Sequence, residues 1–174
     1  KYTIYIKNLV TGKLMQEVIP LTTGGATWAN DNKTLFYSKK DEQTLRSNKI
    51  FKHTLGQNSA DDVNVFTEQD ETFNTFVYKT KSKKYIVIGS SSTLSSEYQI
   101  LDADTPNQEF KIFQPRERGL EYSIAHYETN FYIVTNKDGA TNFKLMKTPQ
   151  DNTSIDNWVD EIAHRENVLL EDIE

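Results

Sequence analysis

Acidic side chains are the first feature of this chain that could act on a partner. They cluster in three short stretches, at 61–62, 68–71 and 102–104. Such groups usually keep a protein soluble and form turns, but together they also create a negative field that attracts cations. Glu68, Asp70 and Glu71 lie on a predicted connection between sheets. We therefore expect these three residues to steer a positively charged substrate.

Basic residues form two groups that favour different interpretations. Arg116 and Arg118 flank a glutamate in a second predicted connection, where they either remain exposed or form ion pairs with another domain. We retain both as candidate interdomain contacts. Residues 79–84 contain four lysines and are predicted to form a solvated hairpin. A nucleic-acid site there would need interleaved aromatic residues and a basic surface, and the net charge of −5 argues against that partner.

Nucleophilic and metal-binding residues do not form a recognisable set in this sequence. The serine run 90–92 lacks the second glycine of a G-x-S-x-G elbow and follows a predicted strand into a loop. The histidines His53, His126 and His164 have no metal-ligand spacing, and cysteine is absent. We expect no catalytic residue, no metal and no cofactor in the chain. An enzyme with its own site would need convergent titratable groups that the sequence does not offer.

A repeated pattern indicates which elements must position these residues. An apolar run, a polar turn and a second run of aromatic and β-branched residues occur three times. The second runs start near Leu35, Tyr85 and Phe131, a spacing of roughly 46–50 residues. Several short strands within each repeat of this length are typical of a β-propeller. Turns such as Asn30–Asn32, Glu128–Asn130 and Lys137–Gly139 contain residues that tolerate positive φ.

Grouping the predicted strands in fours gives an all-β partial propeller with about three and a half antiparallel blades. The blades fall at about 25–67, 73–114 and 121–162, with strands 2–7 and 14–19 as half of a preceding blade. Residues 167–173 are predicted to open a following blade, and 153–161 to form a strand rather than a helical turn. Such a fragment exposes apolar faces and unpaired edges, so self-association is expected.

Composition narrows the class of protein further. At 174 residues, with 36% hydrophobic content, the chain is long enough for one domain. It contains no apolar stretch of membrane-spanning length and no signal-peptide pattern, so we expect no membrane partner. Because the chain contains no cysteine, the sequence is compatible with either a cytoplasmic or a periplasmic location. Because the sequence starts in a strand without an initiator Met, we expect it to be cut from a longer polypeptide.

Several stretches carry a resemblance to a known family. They are 28–31, 48–56, 97–103, 121–127 and 165–172, and the likeness runs in order through essentially the whole chain. The sequence resembles the propeller of the oligopeptidase B branch of the prolyl oligopeptidase family of serine peptidases. The resemblance implies a propeller joined to an α/β-hydrolase peptidase domain, which cleaves short peptides after Lys or Arg. The hydrolase domain carries the catalytic Ser, Asp and His in that family, so this segment should be inactive alone.

Two functions from different classes follow. The first is a non-catalytic gate that covers the peptidase domain of the same full-length chain and admits short basic peptides by size. The second is a stand-alone propeller scaffold for protein–protein binding. The number of repeats separates them, because a scaffold needs enough blades to close and this sequence carries about three and a half.

Overall fold

The computed structural model describes residues 1–173 and is built almost entirely of strands. The strands of the described residues are β1 Tyr2–Lys7, β2 Leu14–Trp28, β3 Thr34–Lys40, β4 Ser47–Thr54, β5 Val63–Thr67, β6 Asn74–Lys79, β7 Tyr85–Ser91, β8 Ser96–Asp102, β9 Lys111–Gln114, β10 Tyr122–Tyr127, β11 Asn130–Thr135, β12 Lys144–Pro149 and β13 Val159–Ile162. Short 3₁₀ helices occupy Ser59–Asp61, Lys137–Gly139 and Ile155–Asn157.

The strands form three antiparallel sheets, each in sequence order. The first sheet contains β1 to β5, the second β6 to β9 and the third β10 to β13. Connections of this kind let each strand pair with the one before it. Within residues 1–173 the sheets do not close into a ring. The structure thus confirms the predicted all-β class and its repeated antiparallel units.

Strand β2 is longer than predicted because it joins two expected strands, 14–19 and 25–29. Thr22 pairs with both Tyr2 and Lys39, and the chain turns back near Gly24, which has φ +95°. The half of β2 that precedes this bend runs beside the β4–β5 connection, where the carboxylate of Glu17 accepts a hydrogen bond from the Gly56 amide. The predicted half-blade at 1–19 is therefore hydrogen-bonded into the first sheet. The predicted blade boundaries stay predictions.

The end of the chain differs from the expectation in two ways. The 3₁₀ helix Ile155–Asn157 precedes β13, so 153–161 forms both a helical turn and a strand. Residues 163–173 form no strand, contrary to the expected start of a blade at 167–173. Their backbone instead bonds to the β11–β12 connection, where the Leu170 amide donates to the carbonyl of Asn142. A strand would need a ladder of successive backbone hydrogen bonds to a neighbouring strand, and this contact is instead made with a connection.

Apolar clusters join neighbouring sheets because the strands bury side chains on both faces. Between the first and second sheets the cluster includes Phe36, Ile50, Ile86 and Ile88, all almost fully buried. Between the second and third sheets the cluster is larger and more aromatic. Its rings are Tyr98, Phe113, Tyr122, Phe131 and Trp158. Several of these rings meet edge to face, the favoured geometry for aromatic pairs.

Alternating strand direction gives the three sheets two opposite rims. We call one the crossover rim, because it carries the connections that pass from sheet to sheet; its residues are 41–46, 68–73, 92–95, 115–121 and 136–143. The other is the turn rim; its residues are 29–33, 55–62, 80–84, 103–110, 128–129 and 150–158. Both predicted groups of functional residues, the acidic trio and the arginine pair, lie on the crossover rim.

Candidate functional site

Arg116 and Glu68 form an ion pair across the junction of the first two sheets. Glu68 follows β5 and Arg116 follows β9, and Nη2 of Arg116 lies 2.6 Å from Oε2 of Glu68. The glutamate side chain is only 5% exposed and the arginine side chain 25% exposed. Charged hydrogen bonds of this length are among the stronger ones in proteins. The pair therefore ties two successive crossovers together.

Three further groups surround the Arg116 guanidinium. It lies over the ring of Phe73, with 3.5 Å between Cζ and the ring centroid. Oε1 of Glu97 and Oδ2 of Asp70 are 3.5 and 3.7 Å from its terminal nitrogens. The Arg116 amide also donates to the second Glu97 oxygen at 3.0 Å. A planar cation between an aromatic ring and several carboxylates is strongly held in place.

Arg46 holds the same crossover from the other side. Its Nη1 donates to the carbonyls of Asp70 and Phe73 at 3.0 and 2.6 Å, and its Nη2 to the carbonyl of Glu68 at 3.2 Å. Arg46 comes from the β3–β4 connection. The connection 68–73 is thus bound through its backbone by one arginine and through its side chains by another. Two such clamps give a short loop a fixed shape.

The electrostatics of the cluster keep Glu68 ionised. Burial by itself would raise the pKa of Glu68, but hydrogen bonds from Arg116 and the Asp70 amide outweigh it and lower the pKa. For Arg116, burial alone would lower the pKa, and the surrounding carboxylates raise it instead. Both groups are charged near neutral pH, and each neutralises the other. Little of the Glu68 charge is left to act on a distant ligand.

A cleft of about 630 Å³ opens beside this cluster on the crossover rim. Its walls include Phe73, Leu94, Arg116 and Arg118. Arg118 is exposed, and Leu94 at the β7–β8 connection is 60% exposed. The cleft combines cationic, anionic, apolar and hydroxyl groups, because Asp70 also lines it. This mixture suits a protein or peptide surface better than a small polar molecule.

The structure thus brings together two predicted groups that the sequence kept apart. Glu68 and Asp70, expected to steer substrate, contact Arg116, expected to reach another domain. Asp70 and Glu71 remain exposed at the surface of the connection 68–73. Asp70 and Glu71 are therefore better placed than Glu68 for the expected steering, and Arg118 is better placed than Arg116 for the expected interdomain contact. Both roles stay predictions.

The serine run and the histidines are kept apart by the fold. Ser90 is buried within β7. Nδ1 of His126 lies 2.8 Å from the Ser82 hydroxyl, and burial lowers the pKa of this imidazole. Nε2 of His164 accepts from the Asn142 amide. Each of these two imidazoles therefore has a hydrogen-bond partner outside the serine run.

A buried polar network escaped sequence reasoning. Nδ1 of His53 lies 2.7 Å from Oδ1 of Asp62, and the Tyr37 hydroxyl donates to Oδ2 of Asp62 at 2.8 Å. His53 is fully buried, and burial together with this contact strongly raises the pKa of Tyr37. The network joins β3 and β4 to the start of β5. Tyr37 and His53 lie on neighbouring strands and Asp62 lies just before β5, so only the packing of these elements brings the three side chains together.

The lysine-rich hairpin 79–84 lies on the turn rim. Nζ of Lys79 donates to Oδ1 of Asn30, and the Asn30 amide group donates to Asp104 and to the carbonyl of Lys83. These contacts join the first and second sheets at the turn rim. Among residues 1–173 the structure brings together no group of His, Cys, Asp and Glu that could hold a metal. The same residues contain no helix long and apolar enough to cross a membrane.

Comparison with known proteins gives a consistent match. A family model described as the N-terminal beta-propeller domain of prolyl oligopeptidase matches residues 1–174. The chain is 39% identical over 174 residues to dipeptidyl aminopeptidase BI of Pseudoxanthomonas mexicana, covering 100% of this chain and 24% of that protein. It is 35% identical over 156 residues to Protease 2 of Moraxella lacunata, covering 88% of this chain and 22% of that protein.

Solved structures agree with these relatives. Oligopeptidase B from Leishmania major superposes with a TM-score of 0.91 at 32% identity, over 98% of this chain and 24% of that one. Oligopeptidase B from Trypanosoma brucei, in a closed form with covalently bound antipain, superposes with a TM-score of 0.84 at 28% identity. The match covers 91% of this chain and 22% of that one. The chain thus spans about a quarter of these relatives. In such full-length homologues the propeller packs against the peptidase domain of the same chain.

Proposed function

Because this chain belongs to the N-terminal β-propeller family of the prolyl oligopeptidases, we propose that it is a non-catalytic segment of a serine oligopeptidase. It packs against the peptidase domain of the same polypeptide and restricts by size which peptides reach that domain. The observation that carries the proposal is the family match over residues 1–174. The superposition on oligopeptidase B at a TM-score of 0.91 supports it.

The architecture suits a filter. Antiparallel sheets joined by buried clusters form a stiff wall, because close-packed cores resist deformation. A stiff ring of such sheets would exclude folded proteins and admit an extended peptide. Ser90 is buried, and His53, His126 and His164 each have a structural hydrogen-bond partner, which is in keeping with a role in access rather than in bond cleavage.

Short peptides that contain Lys or Arg are the proposed substrates of the full-length protein. Support comes from the likeness to oligopeptidase B and from the charge of this segment, −5. Asp70 and Glu71 are exposed on the crossover rim, where their field would attract a cationic peptide. Because Glu68 is paired with Arg116, it adds little to that field.

A second candidate concerns the mode of cleavage. The 39% identity to a protein named dipeptidyl aminopeptidase BI favours an enzyme that removes dipeptides from the ends of peptides. The same propeller segment would serve either enzyme, because both need restricted access to a peptidase domain. A stand-alone scaffold for protein binding is the third candidate.

The test uses the full-length polypeptide and three substrates with one cleavable Arg: a short blocked chromogenic peptide, the same peptide with a free N-terminus, and a folded protein. The proposal expects cleavage of the blocked short peptide and no cleavage of the folded protein. Release of dipeptides from the unblocked peptide alone would favour the second candidate. Turnover by residues 1–174 alone would contradict the proposal, as would a full-length polypeptide without a peptidase domain.

A further inference from the structure

Buried polar atoms without a protein partner gather around Glu68. Among residues 1–173 the buried side-chain atoms that make no hydrogen bond to another protein group are Nε of Arg46, Oδ1 of Asn48, Nε2 of His53, Oγ of Ser90 and Nε of Arg116. All except the histidine nitrogen belong to residues next to Glu68. An unpaired buried polar atom is costly, so nearly all such atoms in proteins bond to protein or to ordered water. Several of them in one place therefore point to a bound molecule.

The contacts of Glu68 place these residues together. Its amide donates to the carbonyl of Asn48 at 2.8 Å, and its own carbonyl accepts from Nη2 of Arg46. Its carboxylate accepts from Nη2 of Arg116, and against the effect of burial the Ser90 side chain is among the groups that lower its pKa. Asn48, Ser90 and Glu68 are 7%, 2% and 5% exposed. The unpaired atoms thus lie in one buried region rather than at the surface.

Strand alternation directs Asn48 and Ser90 into the same junction. Asn48 lies two residues before Ile50 in β4, and Ser90 lies two residues after Ile88 in β7, so the members of each pair share a face of their strand. Ile50 and Ile88 both belong to the apolar cluster between the first and second sheets. Asn48 and Ser90 therefore point into this junction too, one step closer to the crossover rim.

A polar layer ends the apolar cluster at this step. Thr75 of β6 and Glu97 of β8 flank Ser90 in register across the second sheet. The Thr75 hydroxyl donates to the carbonyl of Gly89, and Glu97 lies against Arg116, whereas Oγ of Ser90 has no protein partner. Because asparagine and serine are smaller than isoleucine, this layer holds less side-chain volume than the apolar layer beside it. A single water takes up about 30 Å³ of liquid volume.

The donors and acceptors of the layer fit a water molecule. Oδ1 of Asn48 only accepts, the Nε–H groups of Arg46 and Arg116 only donate, and the Ser90 hydroxyl does both. A water donates two hydrogen bonds and accepts two, so it can satisfy partners of both kinds at once. A cation in the same place would lie beside two guanidinium groups, and a halide beside the Glu68 carboxylate, so both are disfavoured.

We propose that one ordered water is bound in this layer and bridges Oδ1 of Asn48 to Oγ of Ser90. An arginine Nε–H of the same layer supplies its third hydrogen bond. The water connects β4 of the first sheet to β7 of the second, directly behind the ion pair of Glu68 and Arg116. This binding site does not depend on the proposed function, because it involves only the packing of the two sheets.

The test is a pair of crystal structures of the full-length polypeptide, unsubstituted and with Asn48→Leu, at a resolution that shows ordered water. The proposal expects a water within hydrogen-bond distance of Asn48 and Ser90 in the first and its loss in the second, because leucine has a similar shape without the acceptor. Ser91→Ala, on the opposite face of β7, is the control and should keep the water. A direct hydrogen bond between Asn48 and Ser90, an empty space between them, or a halide identified by its anomalous signal after bromide exchange would overturn the proposal.

Hydrogen exchange in the full-length polypeptide gives a second measurement. Asn48→Leu and Ser90→Ala each remove one partner of the water, so each should speed exchange of the Glu68 amide, which donates to the Asn48 carbonyl. The double variant leaves neither partner unsatisfied, so its effect should fall short of the product of the single effects by at least about twofold. If the single effects multiply, the two side chains share no water and the proposal is wrong. Asn48→Ala takes the place of Asn48→Leu if circular dichroism shows that the leucine variant does not fold.

Discussion

Nη2 of Arg116 lies 2.6 Å from Oε2 of Glu68, so the crossover leaving the second sheet is tied to the crossover leaving the first. This relationship gives the first prediction. Arg116→Ala leaves Glu68 buried without its cation and removes the contact with Phe73. We expect a local loss of about 1–3 kcal/mol, since a buried charged group has lost its partner.

The measurement is hydrogen exchange of the amides in the connection 68–73 of the full-length polypeptide. Those of Asp70 and Phe73 report directly, because they donate to Glu68 and to the Asp70 carbonyl. A loss of this size makes exchange from about fivefold to more than about a hundredfold faster. Arg118→Ala is the matched control and should leave these rates within about twofold, because Arg118 is exposed. If these amides exchange as slowly in Arg116→Ala as in the unsubstituted protein, Arg116 does not hold the connection 68–73 in place.

Acid stability gives the second prediction. The folded-state pKa of Glu68 is lowered, so the stability it contributes is complete above the ordinary glutamate pKa and is lost as the pH falls through the folded value. Glu68→Gln should therefore lower the thermal midpoint at pH 7, and the difference from the unchanged protein should shrink below about pH 4. The control Glu71→Gln, at an exposed position, should have the same thermal midpoint as the unsubstituted protein at every pH. If the difference in thermal midpoint between Glu68→Gln and the unsubstituted protein is the same from pH 7 to pH 3, the lowered pKa of Glu68 is refuted.

The sequence pattern predicted much of the fold, for a local reason. Alternation of apolar residues located β3, β7 and β11, and the expected positive φ values occur at Asn32, Glu128 and Asp138. These features depend on a few neighbouring residues. Strand β2 was predicted as two strands, because Gly24 and Gly25 at its bend are residue types typical of a connection, and Gly24 does adopt φ +95°. Segment 163–173 was missed because its partners are in the β11–β12 connection rather than in a strand.

The candidate site was predictable only in its parts. Glu68 and Arg116 were each singled out, but 48 residues separate them and nothing in either stretch indicates that they meet. Their contact depends on how the first two sheets pack. The clamp by Arg46 has the same origin, because it acts on backbone carbonyls, which carry no signature in the sequence.

The third prediction concerns Gly89 in β7. A Cβ atom at this position would lie 2.3 Å from Cζ of Phe76, closer than any real contact. Gly89→Ala should destabilise the protein by about 1–3 kcal/mol, because the Phe76 ring must move. Phe76→Leu in the same protein should recover most of this loss, which thermal unfolding would detect. Failure of the double variant to recover would point to backbone strain rather than this contact.

The fourth prediction concerns strain at Leu45. Leu45→Asn places a residue that tolerates positive φ at an exposed position with φ +60°. The thermal midpoint, measured by thermal unfolding, should rise or stay equal, because the strain is relieved and little packing is lost. Leu94→Asn is the matched control at another exposed leucine and should bring no gain in the midpoint, because Leu94 is not among the residues with positive φ. A lower midpoint for Leu45→Asn would argue against backbone strain at this residue.

The fifth prediction concerns the buried network of Asp62. Asp62→Ala leaves Nδ1 of His53 and the Tyr37 hydroxyl without their partner. Buried polar groups in this state cost about 1–3 kcal/mol each, so the thermal midpoint should fall markedly. The neighbouring Asp61→Ala removes an exposed carboxylate and should change the midpoint little. Equal midpoints for the two variants would show that the network adds nothing to stability.

The two junctions between sheets differ in kind, and this difference predicts how each responds to added salt. Five aromatic rings lie between the second and third sheets, whereas the smaller cluster between the first and second is supplemented by charged contacts at both rims. Added salt screens charged contacts and strengthens apolar ones. High ionic strength should therefore stabilise the first junction less than the second.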